Sequence, residues 1–156
     1  MTRQYQDTVE NCLEHIRLAW NAGNADAFAS EFTEDATYVI FLGEPLLGRK
    51  EIRSTHADVF GKWQKGTQMA IKVLGVRSLS ADVASILTAG GIGKGRDIPF
   101  DKLQTFTLIR RDGRWRCTAF QNTAMSRRAK RTHNSASNTG ILGTLRAWVR
   151  GAEDGR

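Results

Sequence analysis

The sequence predicts an α+β domain in which N-terminal helices pack on a curved antiparallel sheet around an apolar pocket. In three segments up to about residue 63, apolar residues recur at intervals of three and four, which is typical of amphipathic helices. After Gly66 the interval changes to two, which is typical of half-buried strands. Helices followed by a run of long strands favour a layer of helices on one face of a sheet.

Length and composition agree with this class. The chain has 156 residues, enough for one core without disulfide or metal support. Cys12 and Cys117 are the two cysteines, which excludes a disulfide framework and a cysteine zinc site. No apolar run approaches the roughly 18 residues of a membrane span, and the N-terminus lacks the apolar centre of a secretory signal. We therefore expect a cytoplasmic protein.

The positive charge is concentrated in the C-terminal part. The net charge is +7, and residues 126–156 hold seven basic and two acidic residues, so the rest of the chain is nearly balanced. Nucleic-acid-binding domains more often carry basic residues on their folded face. We interpret the basic stretch as a solvated linker, with attraction of nucleic acid or anionic lipid as the alternative.

Three helices are predicted first. The first carries one apolar face and ends near Gly23, which suits a left-handed cap, and Asn24 suits the N-cap of a second, short helix. A turn at Glu34–Asp35 leads to a strand at 36–41, a short return strand at 46–48 and a third helix from about Arg49. The apolar face of the first helix comprises Val9, Cys12, Leu13, Ile16, Ala19 and Trp20. That of the second comprises Ala25, Phe28, Ala29 and Phe32, and that of the third comprises Ile52, His56, Val59, Phe60 and Trp63.

Four longer strands follow, at about 69–79, 83–92, 103–109 and 115–125. Asp112-Gly113 predicts a tight hairpin between the last two, because both residues tolerate positive φ. We divide the chain into a domain at 1–125, a linker at 126–139 and a short amphipathic helix at 140–156. A helix this short needs a docking surface. Its own domain, a second subunit, a larger partner and a membrane surface remain open, with lipid the least expected.

Three stretches together resemble a known family: residues 19–28, residues 48–52 with His56 downstream, and residues 110–123. Their order resembles the NTF2-like superfamily. It is most similar to the SnoaL-like branch, and within it to the SgcJ-type proteins of enediyne and polyketide antibiotic biosynthesis. The resemblance covers roughly residues 5–123, and its most specific element is Phe-Gln-Asn-Thr after the hairpin.

This resemblance implies a cone-shaped, cystatin-like roll with a pocket between sheet and helices. It also implies a small hydrophobic, polyketide-like ligand and a homodimer packed through the open face of the sheet. Relatives include isomerases, cyclases and dehydratases, and others only bind, so the fold does not fix a reaction. We expect neither a cofactor nor a metal.

His56 and Tyr38 are the candidate catalytic residues. His56 lies on the apolar face of the third helix, and a neutral imidazole can move a proton near pH 7. The alternative is a buried histidine bonded to the backbone. Tyr38, on the first strand, can donate a hydrogen bond to a developing enolate, or it can anchor the sheet edge.

The candidate ligand-binding residues are two polar side chains in apolar strands and a set of aromatic residues. Gln121 and Asn122 point to opposite faces, and we choose Gln121 with Gln104 for the pocket. A structural hydrogen bond is the alternative for each. The aromatic candidates, which can equally be plain core, are Trp20, Phe41, Phe60, Trp63 and Phe106.

Two functions remain open. The first is a cofactor-free cyclase, isomerase or dehydratase of natural-product biosynthesis, in which His56 moves the proton and Tyr38 and Gln104 or Gln121 hold the oxygen. The second is a non-catalytic binding or assembly module that acts as a dimer or attaches to a larger synthase through its C-terminal helix. No carboxylate lies in mid-strand on an apolar face, which argues against a ketosteroid-isomerase type of base.

Overall fold

A computed structural model describes residues 7–134. The chain divides after Ala124 into two units. Within residues 7–124, the first unit contains three α-helices, one π-helical turn and six strands. Their order is α1 (Val9–Asn21), α2 (Ala25–Ser30), β1 (Phe32–Val39), β2 (Pro45–Leu47), α3 (Gly48–Asp58), the π-helical turn (Val59–Trp63), β3 (Gln68–Ser80), β4 (Val83–Gly93), β5 (Lys102–Arg111) and β6 (Arg114–Ala124). The α+β prediction is confirmed.

The first two helices begin where a side chain satisfies a free backbone N–H group. Thr8 caps α1 by accepting the Asn11 N–H at 3.2 Å, and Asn24 caps α2 by accepting the Ala27 N–H at 2.9 Å. Gly23, between them, has the predicted left-handed backbone with φ of 61°.

The six strands form one sheet in the order β2-β1-β6-β5-β4-β3. Every neighbouring pair is antiparallel except β1 and β6, which are parallel. The sheet is therefore mixed, whereas the sequence predicted an antiparallel one. The parallel pair arises because the first strand lies beside the last, a long-range pairing that local periodicity does not report. The Asp112-Gly113 hairpin between β5 and β6 is confirmed, with φ of 53° and 74°.

Strand β1 begins earlier than predicted. Phe32, assigned from its spacing to the second helix, is the first residue of β1 and pairs with Cys117. The predicted turn at Glu34–Asp35 lies inside the strand, where the register with β6 shifts before Thr37. An irregular strand leaves such residues exposed, so their polarity resembles that of a turn.

The π-helical turn explains another difference. Phe60 is buried, whereas Trp63, predicted on the same face, is 67% exposed. In an α-helix a spacing of three returns to nearly the same face, but the i→i+5 bonds of a π-helix use more residues for each turn. Trp63 therefore points away from the core and is not a pocket residue.

The helices cover one face of the sheet, which we call the inner face. Cross-strand partners share a face, and the register places Phe106 opposite both Phe120 and Ile86 in the middle of it. All three side chains are buried. On the other, outer face, the backbone at Pro99 crosses β4 at Gly91, where an added Cβ would lie 2.0 Å from the Pro99 carbonyl oxygen.

The second unit is described as far as Asn134 and contains a helix, α4 (Arg127–Asn134). We predicted a linker at 126–139, so this part of it is helical. Ser126 lies just before α4, and its Oγ accepts the Ala129 N–H at 3.2 Å, a local bond that needs no apolar face. The helix predicted at 140–156 lies outside the described residues. Among residues 7–134, every helix is too short or too polar to cross a membrane.

Candidate functional site

His56 lies inside an aromatic cluster between the helices and the sheet. Its ring stacks on Phe28 with the centroids 4.3 Å apart. The rings of Tyr38, Phe60 and Trp20 approach it at centroid distances of 5.1, 5.7 and 6.0 Å. Only 3% of His56 is exposed. The predicted inward orientation of His56 is confirmed, and its surroundings are almost entirely apolar.

One hydrogen bond sets the tautomer of His56. Its Nδ1 lies 2.7 Å from the carbonyl oxygen of Ile52, one helical turn earlier in α3. Because a carbonyl oxygen can only accept, Nδ1 carries the hydrogen, and the neutral ring has its lone pair on Nε2. Burial disfavours the charged form and lowers the pKa of His56 from 6.5 to about 4. His56 is thus a neutral base over the physiological pH range.

Tyr38 lies on β1 between His56 and the sheet. Its ring packs on Phe120 at 4.4 Å, and burial raises its pKa well above the usual value of a phenol. Tyr38 therefore stays protonated at neutral pH, in the form that can donate to an oxygen carrying negative charge. The structure brings the two predicted catalytic side chains, His56 and Tyr38, into contact.

Beside this cluster, the inner face carries three polar side chains opposite one another, which we call the polar row: Thr88 on β4, Gln104 on β5 and Asn122 on β6. The Thr88 hydroxyl donates to Gln104 Oε1 at 2.9 Å, and both residues are buried. The Gln104 amide lies over Gly90, where an added Cβ would be 2.2 Å from Oε1. Gly90 is therefore the residue that lets Gln104 lie against the sheet.

Asn122 replaces Gln121 in this arrangement. Gln121 is opposite Thr105 on the outer face and is exposed, so our choice between the two neighbours was wrong. Asn122 is opposite Gln104. Its Oδ1 is buried and has no hydrogen-bond partner, which costs about 1–3 kcal/mol of folding free energy in a typical protein. The register of β6 with β5, which the sequence leaves open, decides which amide faces inward.

Lys102 is a residue that the sequence analysis missed. It lies on the inner face, two residues before Gln104, and its side chain is 17% exposed. The ammonium lies 2.8 Å from Asp101 and 4.8 Å from the centre of the Phe41 ring. Phe41, a predicted pocket residue, is 49% exposed in the turn after β1 and serves as a platform for this charge.

A cavity of about 280 Å³ lies between the end of α1 and the start of β3. Its walls include Trp20 and Phe60, the same two rings that contact His56 from that side. The Trp20 indole N–H donates to the Thr67 hydroxyl at 3.1 Å, which fixes one wall. Two of the predicted aromatic residues thus separate this cavity from His56. Phe106 lies in the core against Phe120, at 4.7 Å.

Glu31 is the buried carboxylate among residues 7–134. It ends α2 and accepts a hydrogen bond from Arg114 at 2.6 Å, while His15 lies 3.6 Å from its second oxygen. These contacts join the helices to the start of β6, which is a structural role. Within residues 7–134, no three His, Cys, Asp or Glu side chains are grouped as metal ligands.

The sequence matches the family model of the SnoaL-like domain over residues 13–118. The chain belongs to the SnoaL-like domain family. This match confirms the predicted SnoaL-like assignment. No curated protein matches the sequence.

Solved structures support the fold of this SnoaL-like domain. A domain of unknown function with a cystatin-like fold from Nostoc punctiforme is 25% identical with a TM-score of 0.68, and the match covers 90% of this chain and 93% of that one. An NTF-2 like protein of unknown function from Shewanella oneidensis is 19% identical with a TM-score of 0.64, covering 74% and 95%. A ketosteroid isomerase-like protein from Erwinia carotovora atroseptica is 17% identical with a TM-score of 0.63, covering 80% and 98%.

Proposed function

We propose that the SnoaL-like domain binds a small, largely apolar carbonyl compound and moves a proton on it, with His56 as the base. The observation that carries this proposal is the tautomer of His56, whose Nδ1 is held by Ile52 while Nε2 keeps a free lone pair. The neutral ring is the reactive form, and its pKa of about 4 keeps it in that form. Carboxylate bases with a pKa near this value are sufficient for ketone enolisation in other enzymes.

The proposed step needs no cofactor. His56 Nε2 takes a proton from the carbon next to a ketone, and the electron pair of that C–H bond forms an enolate. The Tyr38 hydroxyl donates a hydrogen bond to the enolate oxygen. In a β,γ-unsaturated ketone the proton then returns from Nε2 to the γ-carbon while the double bond moves into conjugation, which is isomerisation. In a β-hydroxy ketone the proton goes to the β-hydroxyl as its C–O bond breaks, which releases water and is dehydration. The Trp20 and Phe60 rings separate the cavity from His56, so a ligand that enters there reaches Nε2 only when these rings move apart.

The biological setting belongs to the same proposal. The resemblance to SgcJ-type proteins supports a place in polyketide or enediyne antibiotic biosynthesis, with a polyketide-like ligand.

Proton transfer is tested with 2-tetralone, a two-ring ketone with acidic protons beside its carbonyl. In deuterated water, NMR measures the rate at which these protons are replaced by deuterium. We expect His56→Asn to slow protein-catalysed exchange by about 100-fold, because general base catalysis contributes that order of rate. Asn keeps a donor for the Ile52 carbonyl but removes the base. His15→Asn, at an exposed histidine on α1, is the matched control and should keep the full rate.

A second function is favoured by the nearly complete burial of His56 among aromatic rings, which suits a core side chain as well as a base. In that case the domain binds or presents its ligand without reaction, and residues 126–156 attach it to a larger synthase. Exchange at an equal rate in wild type and His56→Asn, with 2-tetralone still bound, would support this alternative and exclude catalysis by His56.

We further propose a homodimer packed through the outer face of the sheet. Leu87 is 40% exposed there, beside Thr105 on β5, and a second copy would cover the part of this face that the Pro99 segment leaves open. Leu87→Glu should shift the protein from dimer to monomer in analytical ultracentrifugation, because it places a charge in the interface. Leu18→Glu, at an exposed position on α1, should leave the dimer intact. A wild-type monomer at micromolar concentration would contradict the proposal.

A further inference from the structure

The polar row lies at the edge of the apolar part of the inner face. On one side its neighbours on the same strands are Ile86, Phe106 and Phe120, all buried and apolar, and on the other side they are Gly90, Lys102 and Ala124. Thr88 and Gln104 satisfy each other through their 2.9 Å hydrogen bond. Asn122 does not share in that bond, and its Oδ1 is a buried acceptor without a donor. Native proteins rarely leave such a group unpaired, so it calls for a partner from outside the described chain.

Lys102 adds a donor at the same end of the inner face. Its backbone is on β5, yet its ammonium packs on Phe41, which follows β1 on the far side of β6. The side chain therefore crosses the end of β6, where Lys102 is opposite Ala124 and Asn122 is the preceding inner-face residue. Asp101 accepts from the ammonium at 2.8 Å, and an ammonium has three hydrogens to donate.

Asn122 Oδ1 lacks a donor, and the Lys102 ammonium lies at the same end of the inner face. One common functional group can pair with both. A hydroxyl donates its hydrogen and also accepts with its oxygen, whereas a ketone or carboxylate can only accept. We propose that Asn122 and Lys102 form a subsite for a hydroxyl group of the ligand, with Asn122 Oδ1 accepting its hydrogen and Lys102 donating to its oxygen. In the structure Oδ1 is enclosed, so the subsite requires the other amide rotamer of the half-buried Asn122. In that rotamer Oδ1 and Nδ2 have exchanged places, and Oδ1 faces the open side.

The position of this subsite defines a class of ligand, and this step rests on the proposed function. Asn122 lies two residues beyond Phe120 on one face, which is roughly 7 Å along a strand. Phe120 packs on Tyr38, and Tyr38 contacts His56. A two-ring compound with its hydroxyl at Asn122 would therefore reach the His56 and Tyr38 pair with its opposite end. The ligand class is a hydroxylated ring ketone.

The test compares two probes that differ by one hydroxyl, 2-tetralone and 6-hydroxy-2-tetralone, by isothermal titration calorimetry. We expect wild type to bind the hydroxylated probe about tenfold more tightly, which corresponds to about 1.4 kcal/mol. This gain should disappear in Asn122→Leu and fall in Lys102→Met. Gln121→Leu, one residue away on the outer face, should keep it.

Thermal unfolding separates ligand recognition from a structural role. Asn122→Leu removes a buried acceptor that has no partner, so its Tm should equal or exceed that of wild type. A lower Tm together with an undiminished hydroxyl gain would show that Asn122 is a structural residue and would overturn the inference.

The two proposals fail in different ways. If exchange on 2-tetralone depends on His56 but the added hydroxyl brings no affinity, the subsite is refuted and proton transfer stands. If the gain in affinity from the added hydroxyl depends on Asn122 but the exchange rate does not depend on His56, the subsite is supported and the protein binds its ligand without catalysis by His56. Absence of binding by both probes would overturn both proposals.

Discussion

Acidification from pH 6.5 to 4 is expected to lower the free energy of unfolding by about 3 kcal/mol through His56 alone. In the unfolded chain His56 takes up a proton as the pH falls through 6.5. In the folded protein its pKa is about 4, because the aromatic cluster disfavours the charged ring. Between these values the unfolded state binds more protons, so stability is full above pH 6.5, falls with pH, and stops falling through this group below about 4.

Urea unfolding of wild type and His56→Asn at several pH values between 7 and 4 measures the contribution of His56 to the loss of stability. Asn does not titrate, so the variant should lose less stability on acidification, by up to about 1.4 kcal/mol for each pH unit. The comparison of slopes removes the contribution of carboxylates, which both proteins share. Equal slopes in wild type and His56→Asn would mean that His56 is not held in the neutral form.

A second large effect is expected at Gly91 on β4. Gly91→Ala should lower the free energy of unfolding by about 3 kcal/mol, at the upper end of the range for overpacking. The added Cβ would lie 2.0 Å from the Pro99 carbonyl oxygen, a backbone atom that cannot rotate away. The segment that carries Pro99 is also tied to β4, because the Asp101 N–H donates to the Gly90 carbonyl at 3.1 Å. Relief of the clash therefore requires a backbone shift.

Gly93→Ala is the matched control, two residues further along the same face of β4. Its added Cβ would meet only the Ile98 side chain, at 3.8 Å, which is ordinary contact. Chemical denaturation of both variants should separate them by at least about 2 kcal/mol. If Gly91→Ala is as stable as Gly93→Ala, the segment at Pro99 does not rest on β4 in solution.

Local signals predicted several elements well, and the reason is that they act within one turn or hairpin. The predicted cap at Asn24 and the Asp112-Gly113 hairpin depend on neighbours three residues away or fewer. The spacing of Ile52, His56 and Phe60 likewise reported a helix face that is buried. The inward orientation of His56 followed directly from that spacing.

The errors came from places where two distant segments decide the outcome. Gln121 and Asn122 are adjacent, and strand alternation required only that they point to opposite faces. Which of them faces inward depends on the pairing of Asn122 with Gln104 across the hairpin and on which face the helices cover. Trp63 was misplaced because the chain changes from an α-helix to a π-helical turn at Val59.

The sequence by itself determined the class of the domain, the positions of most helices and strands, and the candidate base His56. Periodicity and capping depend only on residues that are close together in the chain. Only the tertiary structure decided how the site is assembled. It paired β1 with β6 in parallel and aligned Thr88, Gln104 and Asn122 across three strands. It also enclosed His56 among rings from four different elements, which sets its protonation state. These features depend on register and burial, which arise when distant residues meet.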